Sequence, residues 1–171
     1  MDFTFDEETD IIIDKATGDR CIILAKARLE HIFFSLNEVF HSGARVIIEE
    51  SFRAAGKWFI NEIPEDAKTD RATFLAKAIQ RYIDGGLGRI EIVEFDSEKA
   101  ELTLRIRDNL FAEMHQDDST YCYCVEAYIS GIFEQLIGKP PIIRKTKCLG
   151  KGDPYCEWTL KPPASGEHDK T

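Results

Sequence analysis

RIEIVEFDSEKAELTLRI, residues 89–106, decides the fold. In its second half Leu102, Leu104 and Ile106 point one way, and Glu101, Thr103 and Arg105 the other. That period of two predicts strands over Arg89–Phe95 and Ala100–Ile106, joined by a turn at Asp96–Lys99. The alternation describes an antiparallel sheet with one face on a core and one in water.

Upstream the period is helical. AKARLEHIFFSLNEVF places Leu29, Ile32, Phe33, Leu36 and Phe40 on one face, and Gly43 is read as its end. A second helix is predicted over Ala44–Ile63, with Ile48, Phe52, Ala55, Phe59 and Ile63 as its stripe and Pro64 as its stop. A third runs over Asp70–Ile83 and ends at the glycines of Gly85–Gly88. Before these, Ile11–Asp14 and Asp19–Leu24 flank a Gly turn and read as a hairpin, the first run having the option of pairing elsewhere. Downstream, Asn109–Tyr121 reads as an irregular or weakly helical link. Tyr121–Ile137 is a helix whose Ala127 and Gly131 allow another backbone to approach closely. The segments around Ile142–Cys148 and Cys156–Leu160 are a final strand pair. Helices in the first half and strands through the second make an α+β domain with a mostly antiparallel sheet. Residues 11–161 form the one domain, between an N-terminal tail, 1–10, and a C-terminal tail, 162–171, both expected to be mobile.

The net charge is −9, which opposes binding to a phosphate backbone. No apolar run reaches the length of a membrane span, and MDFTFDEETD has no signal-peptide character, so a cytoplasmic, reducing location is expected. Five cysteines, an odd number, argue there against a disulfide scaffold. Four of them lie in Cys122–Cys156, while Cys21, in an apolar run, is expected in the core. Metal binding, plain packing and a redox pair all remain open for the four. His31 and His41 read as solvated or capping residues.

Cys122-x8-Gly131, then Gly138, then Cys148-x-Gly150-x-Gly152-Asp153-x-x-Cys156, resembles the 4-vinyl reductase, or hydrocarbon-binding, domain family. HSGARVIIEESFRAAGKW and GGLGRIEIVEFD are similar to it as well. The resemblance implies an α+β ligand-binding fold, related to sensory domains of phenol- and xylene-responsive regulators and to a vesicle-tethering subunit. It implies a structural zinc on three cysteines and a glutamate beside an aromatic-binding pocket. Carried onto this chain, the cysteines are Cys122, Cys148 and Cys156, and the glutamate position holds Lys145. A protonated lysine cannot ligate a metal, but it can offset the −1 charge of three thiolates on zinc. Candidates for the fourth ligand are Glu126, Cys124, His115, Asp153 and water. The helix start at Cys122 is expected to favour its thiolate. Cys124 would point about 200° around the helix from Cys122.

Phe52, Trp58, Phe59, Phe111, His115, Tyr128 and Phe133 are the candidate pocket residues. Trp158 is expected beneath the metal site. No dinucleotide fingerprint stands in the right context, since Gly85–Gly88 precedes a strand instead of following one. The expected function is a stand-alone binding or sensor domain for an apolar or aromatic small molecule, forming a homodimer and acting through another protein. A tetrapyrrole or isoprenoid carrier is the alternative, followed by a zinc enzyme using an open coordination position.

Overall fold

The computed structural model describes residues 3–15, 17–63, 65–68, 70–116 and 119–163. Three strands come first: β1 (Phe3–Asp6), β2 (Ile11–Asp14) and β3 (Arg20–Cys21). Helices α1 (Lys26–Phe40), α2 (Ser42–Trp58) and α3 (Arg71–Asp84) follow, then β4 (Arg89–Asp96) and β5 (Glu101–Arg107). A short α4 (Leu110–Glu113) and two-residue strands β6 (His115–Gln116) and β7 (Ser119–Thr120) lead to α5 (Cys122–Ile137). The described chain closes with β8 (Ile142–Lys147) and β9 (Cys156–Lys161).

The main sheet is antiparallel throughout, in the order β4-β5-β9-β8. Its alternation is the one read from residues 89–106. Leu102, Leu104 and Ile106 are buried, with Cys156, Trp158 and Leu160 beside them on β9. The other face is polar and self-paired, Arg105 bonding Glu157 and Arg107 bonding Glu91. A bulge between Ile92 and Glu94 shifts the β4 register.

The helices cover the buried face. α2 and α5 meet backbone to backbone. A side chain added at Gly56 would strike the Tyr128 carbonyl, and one at Gly131 the Arg53 carbonyl. This is the close approach anticipated at Gly131. Asp70 caps α3, its carboxylate accepting the Thr73 N–H at 2.8 Å. Gly138 ends α5 in the left-handed conformation, with φ 76°. A smaller core of Phe59, Ile63, Phe74, Ala78 and Ile132 lies at one side of the main one.

Several boundaries differ from expectation. The first helix ends at His41, with φ 50°, and not at Gly43, which lies inside α2. The predicted second helix stops at Trp58, and Phe59–Glu62 tightens into a 3-10 turn. Ala55, assigned to the buried stripe, is exposed. Phe3–Asp6, within the expected tail, forms a strand on β2, so Ile11–Asp14 pairs on both sides. The run Asp19–Leu24 contributes only Arg20 and Cys21 to that sheet. Ile22, Ile23 and Leu24 are exposed, and Cys21 is half-buried, not core. Asp14 is buried and bonded to Arg81 of α3, which fastens this sheet to the body. Of the expected C-terminal tail, residues 164–171 lie outside the described residues.

Candidate metal centre

Three elements bring three sulfurs together. Cys122 opens α5, Cys148 follows β8 and Cys156 opens β9. All three are buried, and their sulfurs lie within 4.8 Å of one another. Cys122 Sγ is 3.7 Å from Cys148 Sγ and 3.9 Å from Cys156 Sγ. A tetrahedral zinc–thiolate site with bonds of about 2.3 Å has sulfur–sulfur edges of about 3.8 Å. The spacing and the donor type therefore fit zinc. The turn between β8 and β9 supports this arrangement. Gly152 takes φ 93°, and the Cys148 N–H is held by Asp153 Oδ2 at 2.8 Å.

Cys156 is the best-supported anion of the three. It receives the Cys122 thiol, the Leu149 N–H at 3.3 Å and the Asn109 amide at 3.5 Å. The Cys122 hydrogen bond, then the Leu149 N–H and the Asn109 amide, bring its pKa down to about 7 against the opposing effect of burial. Cys122 moves the other way. The hydrogen bond to Cys156 and burial keep the proton on it, outweighing the help expected from its helix terminus. Lys145 works against that rise through its charge.

The candidates for a fourth ligand are placed as follows. Glu126 accepts the Trp158 indole N–H at 3.3 Å. Asp153 is engaged with the Cys148 backbone. Cys124 is buried within α5 outside the three-sulfur group, and burial raises its pKa. The His115 side chain lies outside the described residues. Lys145 stands over the Trp158 ring, 5.1 Å from its centre, and Trp158 is fully buried two residues beyond Cys156. Sequence reading missed Asn109, also fully buried, whose amide lies against two of the three sulfurs. Its one signal was a capping residue ahead of Leu110–Glu113.

The seven pocket candidates do not converge. Phe52 and Phe111 meet edge to face at 5.2 Å, in an aromatic layer with Phe33 and Tyr121. Phe133 belongs to the same main core. Phe59 is in the smaller core, and Tyr128 touches both. Trp58 is 68% exposed. A polar cleft of about 330 Å³ between α2 and α5 is instead lined by Glu49, Glu50, Arg53, Tyr123, Glu126 and Ser130. An apolar groove of about 460 Å³ runs along α1, past Ile32, Leu36, Val39 and Phe40.

The cysteine-bearing part of the fold belongs to a known family. Residues 102–162 match the 4-vinyl reductase domain. The match spans β5 to just past β9 and contains all three clustered cysteines, so the resemblance read from the cysteine motif holds there. A Methanocaldococcus jannaschii protein described as uncharacterized is 27% identical over 117 residues. The alignment takes in 67% of this chain and 46% of that protein, so the chain spans about half the relative's length. Among solved structures, the phenol-responsive sensory domain of the transcription activator PoxR, bound to phenol, superposes with a TM-score of 0.74 at 20% identity. The superposition covers 94% of this chain and 84% of that one. A trafficking protein particle complex subunit 3 from Naegleria fowleri, covalently bound to palmitic acid, gives 0.54 at 12% identity, covering 80% and 96%. An H-NOX protein from S. oneidensis in an Fe(II)NO state gives 0.53 at 13%, covering 82% and 77%. These likenesses establish a shared α+β fold. Among the described residues no helix is long and apolar enough to cross a membrane.

Proposed function

We propose that this chain is a small-molecule sensor domain for an apolar, aromatic ligand, stiffened by a structural zinc on Cys122, Cys148 and Cys156. The observation that carries the reading is the buried three-sulfur group within a fold shared, over 94% of the chain, with a phenol-responsive sensory domain. The zinc would tie the start of α5 to the β8–β9 turn. Water completes its coordination, since the carboxylates of Glu126 and Asp153 are already engaged. Lys145 offsets the charge of the thiolates.

The ligand site in this reading is the aromatic layer of Phe33, Phe52, Phe111 and Tyr121, whose rings part to admit a small ring of similar size. Two copies associate through the apolar face of α1, and the signal passes to a separate output protein in the cytoplasm. Titration calorimetry of the zinc-loaded protein against a panel of single-ring aromatics tests the proposal. Saturable binding weakened by F111A is expected. No heat from any member of the panel at millimolar concentration sinks it.

A second reading, a carrier for a longer apolar molecule or a tetrapyrrole, draws on the fold neighbours that hold palmitic acid and ligated iron. Mass spectrometry and visible absorbance of the freshly purified protein separate the two. A retained lipid or a Soret-type band favours the carrier.

A further inference from the structure

Asn109 stands outside every role assigned so far. It sits between β5 and α4 with none of its surface exposed. A buried amide must find partners for both of its ends. Its Oδ1 accepts the Phe111 N–H at 3.1 Å. Because a backbone N–H can meet only the oxygen end, this contact fixes which way the amide faces. The NH2 end is thereby turned toward the sulfurs, 3.5 Å from Cys156 Sγ and 4.0 Å from Cys122 Sγ.

We propose that Asn109 is a positioning residue of the metal centre, its amide N–H groups holding the coordinating sulfurs of Cys156 and Cys122 while its oxygen anchors α4. The inference rests on reading the three sulfurs as a metal centre. Three thiolates around a divalent ion carry one excess negative charge. N–H···S hydrogen bonds disperse it without competing for the ion, and an amide has no proton to lose at neutral pH. The other end of Asn109 gives the contact its reach. Phe111, bonded through its N–H, places its ring 5.2 Å from Phe52 and 6.5 Å from Phe33. One side chain thus joins the sulfurs to the aromatic layer.

Two substitutions separate positioning from simple capping. N109D keeps the volume and the acceptor for the Phe111 N–H but replaces the donor with oxygen. N109S keeps a capping oxygen and is too short to reach the sulfurs. Zinc affinity is measured by competition with a chromophoric chelator, and metal-free stability by urea unfolding. The Phe111 amide resonance is followed on adding zinc. Expected is a loss of about 10- to 100-fold in zinc affinity for both variants, in line with removal of a partner to a metal ligand. The zinc-induced shift at Phe111 should shrink with it. Affinity within about threefold of the unmodified protein in either folded variant overturns the proposal. So does tighter binding by N109D, which would make position 109 a ligand. If N109S fails to fold, N109D alone decides. If the unmodified protein takes up no zinc, the metal-centre reading itself fails, and that result is visible before either variant is made.

Discussion

Replacing Gly131 with alanine tests the packing that orients α5 and, with it, Cys122. The new Cβ would overlap the Arg53 carbonyl oxygen and stand 2.8 Å from the Lys57 nitrogen. Carbon contacts settle at about 3.5 Å, so the two backbones must part by roughly 0.7 Å or more. Both obstacles are main-chain atoms of α2 and cannot swing aside. Overpacking of this kind costs about 1–3 kcal/mol, and rigid neighbours argue for about 3. Alanine returns about 1 kcal/mol of helix propensity, which leaves a net loss of about 2 kcal/mol. With a urea dependence of about 2 kcal/mol per molar, the midpoint should fall by about 1 M. Circular dichroism across a urea series reads this directly. Gly56 makes the mirror contact with the Tyr128 carbonyl, so G56A should behave alike and the double variant should lose less than the sum. A G131A midpoint equal to or above that of the unmodified protein would refute the backbone-to-backbone seating of α2 on α5.

In metal-free protein the lowered Cys156 pKa should give one thiolate per chain titrating near pH 7, seen by ultraviolet absorbance and absent in C156S. Its folded pKa lies below the ordinary thiol value of 9.0, so the group's contribution to stability is full above pH 9 and lost as pH falls through 7. Urea midpoints should therefore rise from pH 7 to 9, and a flat profile counts against the hydrogen-bonded thiolate. Removing the buried Asp14 carboxylate with D14A takes the ion-pair partner from Arg81 and should cost about 3 kcal/mol, read as a lowered urea midpoint. K145E supplies an oxygen donor where the lysine stands and should slow zinc loss to a chelator, whereas faster loss would show that position 145 does not face the metal. V39E puts a charge on the exposed apolar face of α1, where Val39 is 68% exposed, and should turn a dimer into a monomer by light scattering.

The strand pair at residues 89–106 was legible because a two-residue period leaves each residue only one choice of face. Its place in the sheet was not. The pairing of β5 with β9 joins segments far apart in sequence, and no local signal specifies it. The helix break at His41 was misread because Gly43, two residues on, is the residue that tolerates a left-handed backbone, while the chain spends that conformation on histidine. The three clustered cysteines were found through a resemblance, and the fold brings their sulfurs together. Asn109 was invisible for a different reason. An asparagine before a short apolar run reads as a cap, and nothing local says that sulfurs converge on its other end. The aromatic candidates scattered because a pocket wall and a core draw on the same residues, so only coordinates tell them apart.

The strand order carries a consequence for how the chain is made. β9 is an inner strand, and Arg105 of β5 faces Glu157 across 52 residues of intervening sequence. Until β9 emerges from the ribosome, β5 presents an unpaired apolar edge. Cys156, the first residue of β9, arrives at the same moment, whereas Cys122 and Cys148 have already been synthesised. The sulfur group can therefore assemble only when the sheet is completed. Metal uptake by nascent chains of increasing length would then be a timer for the last folding step.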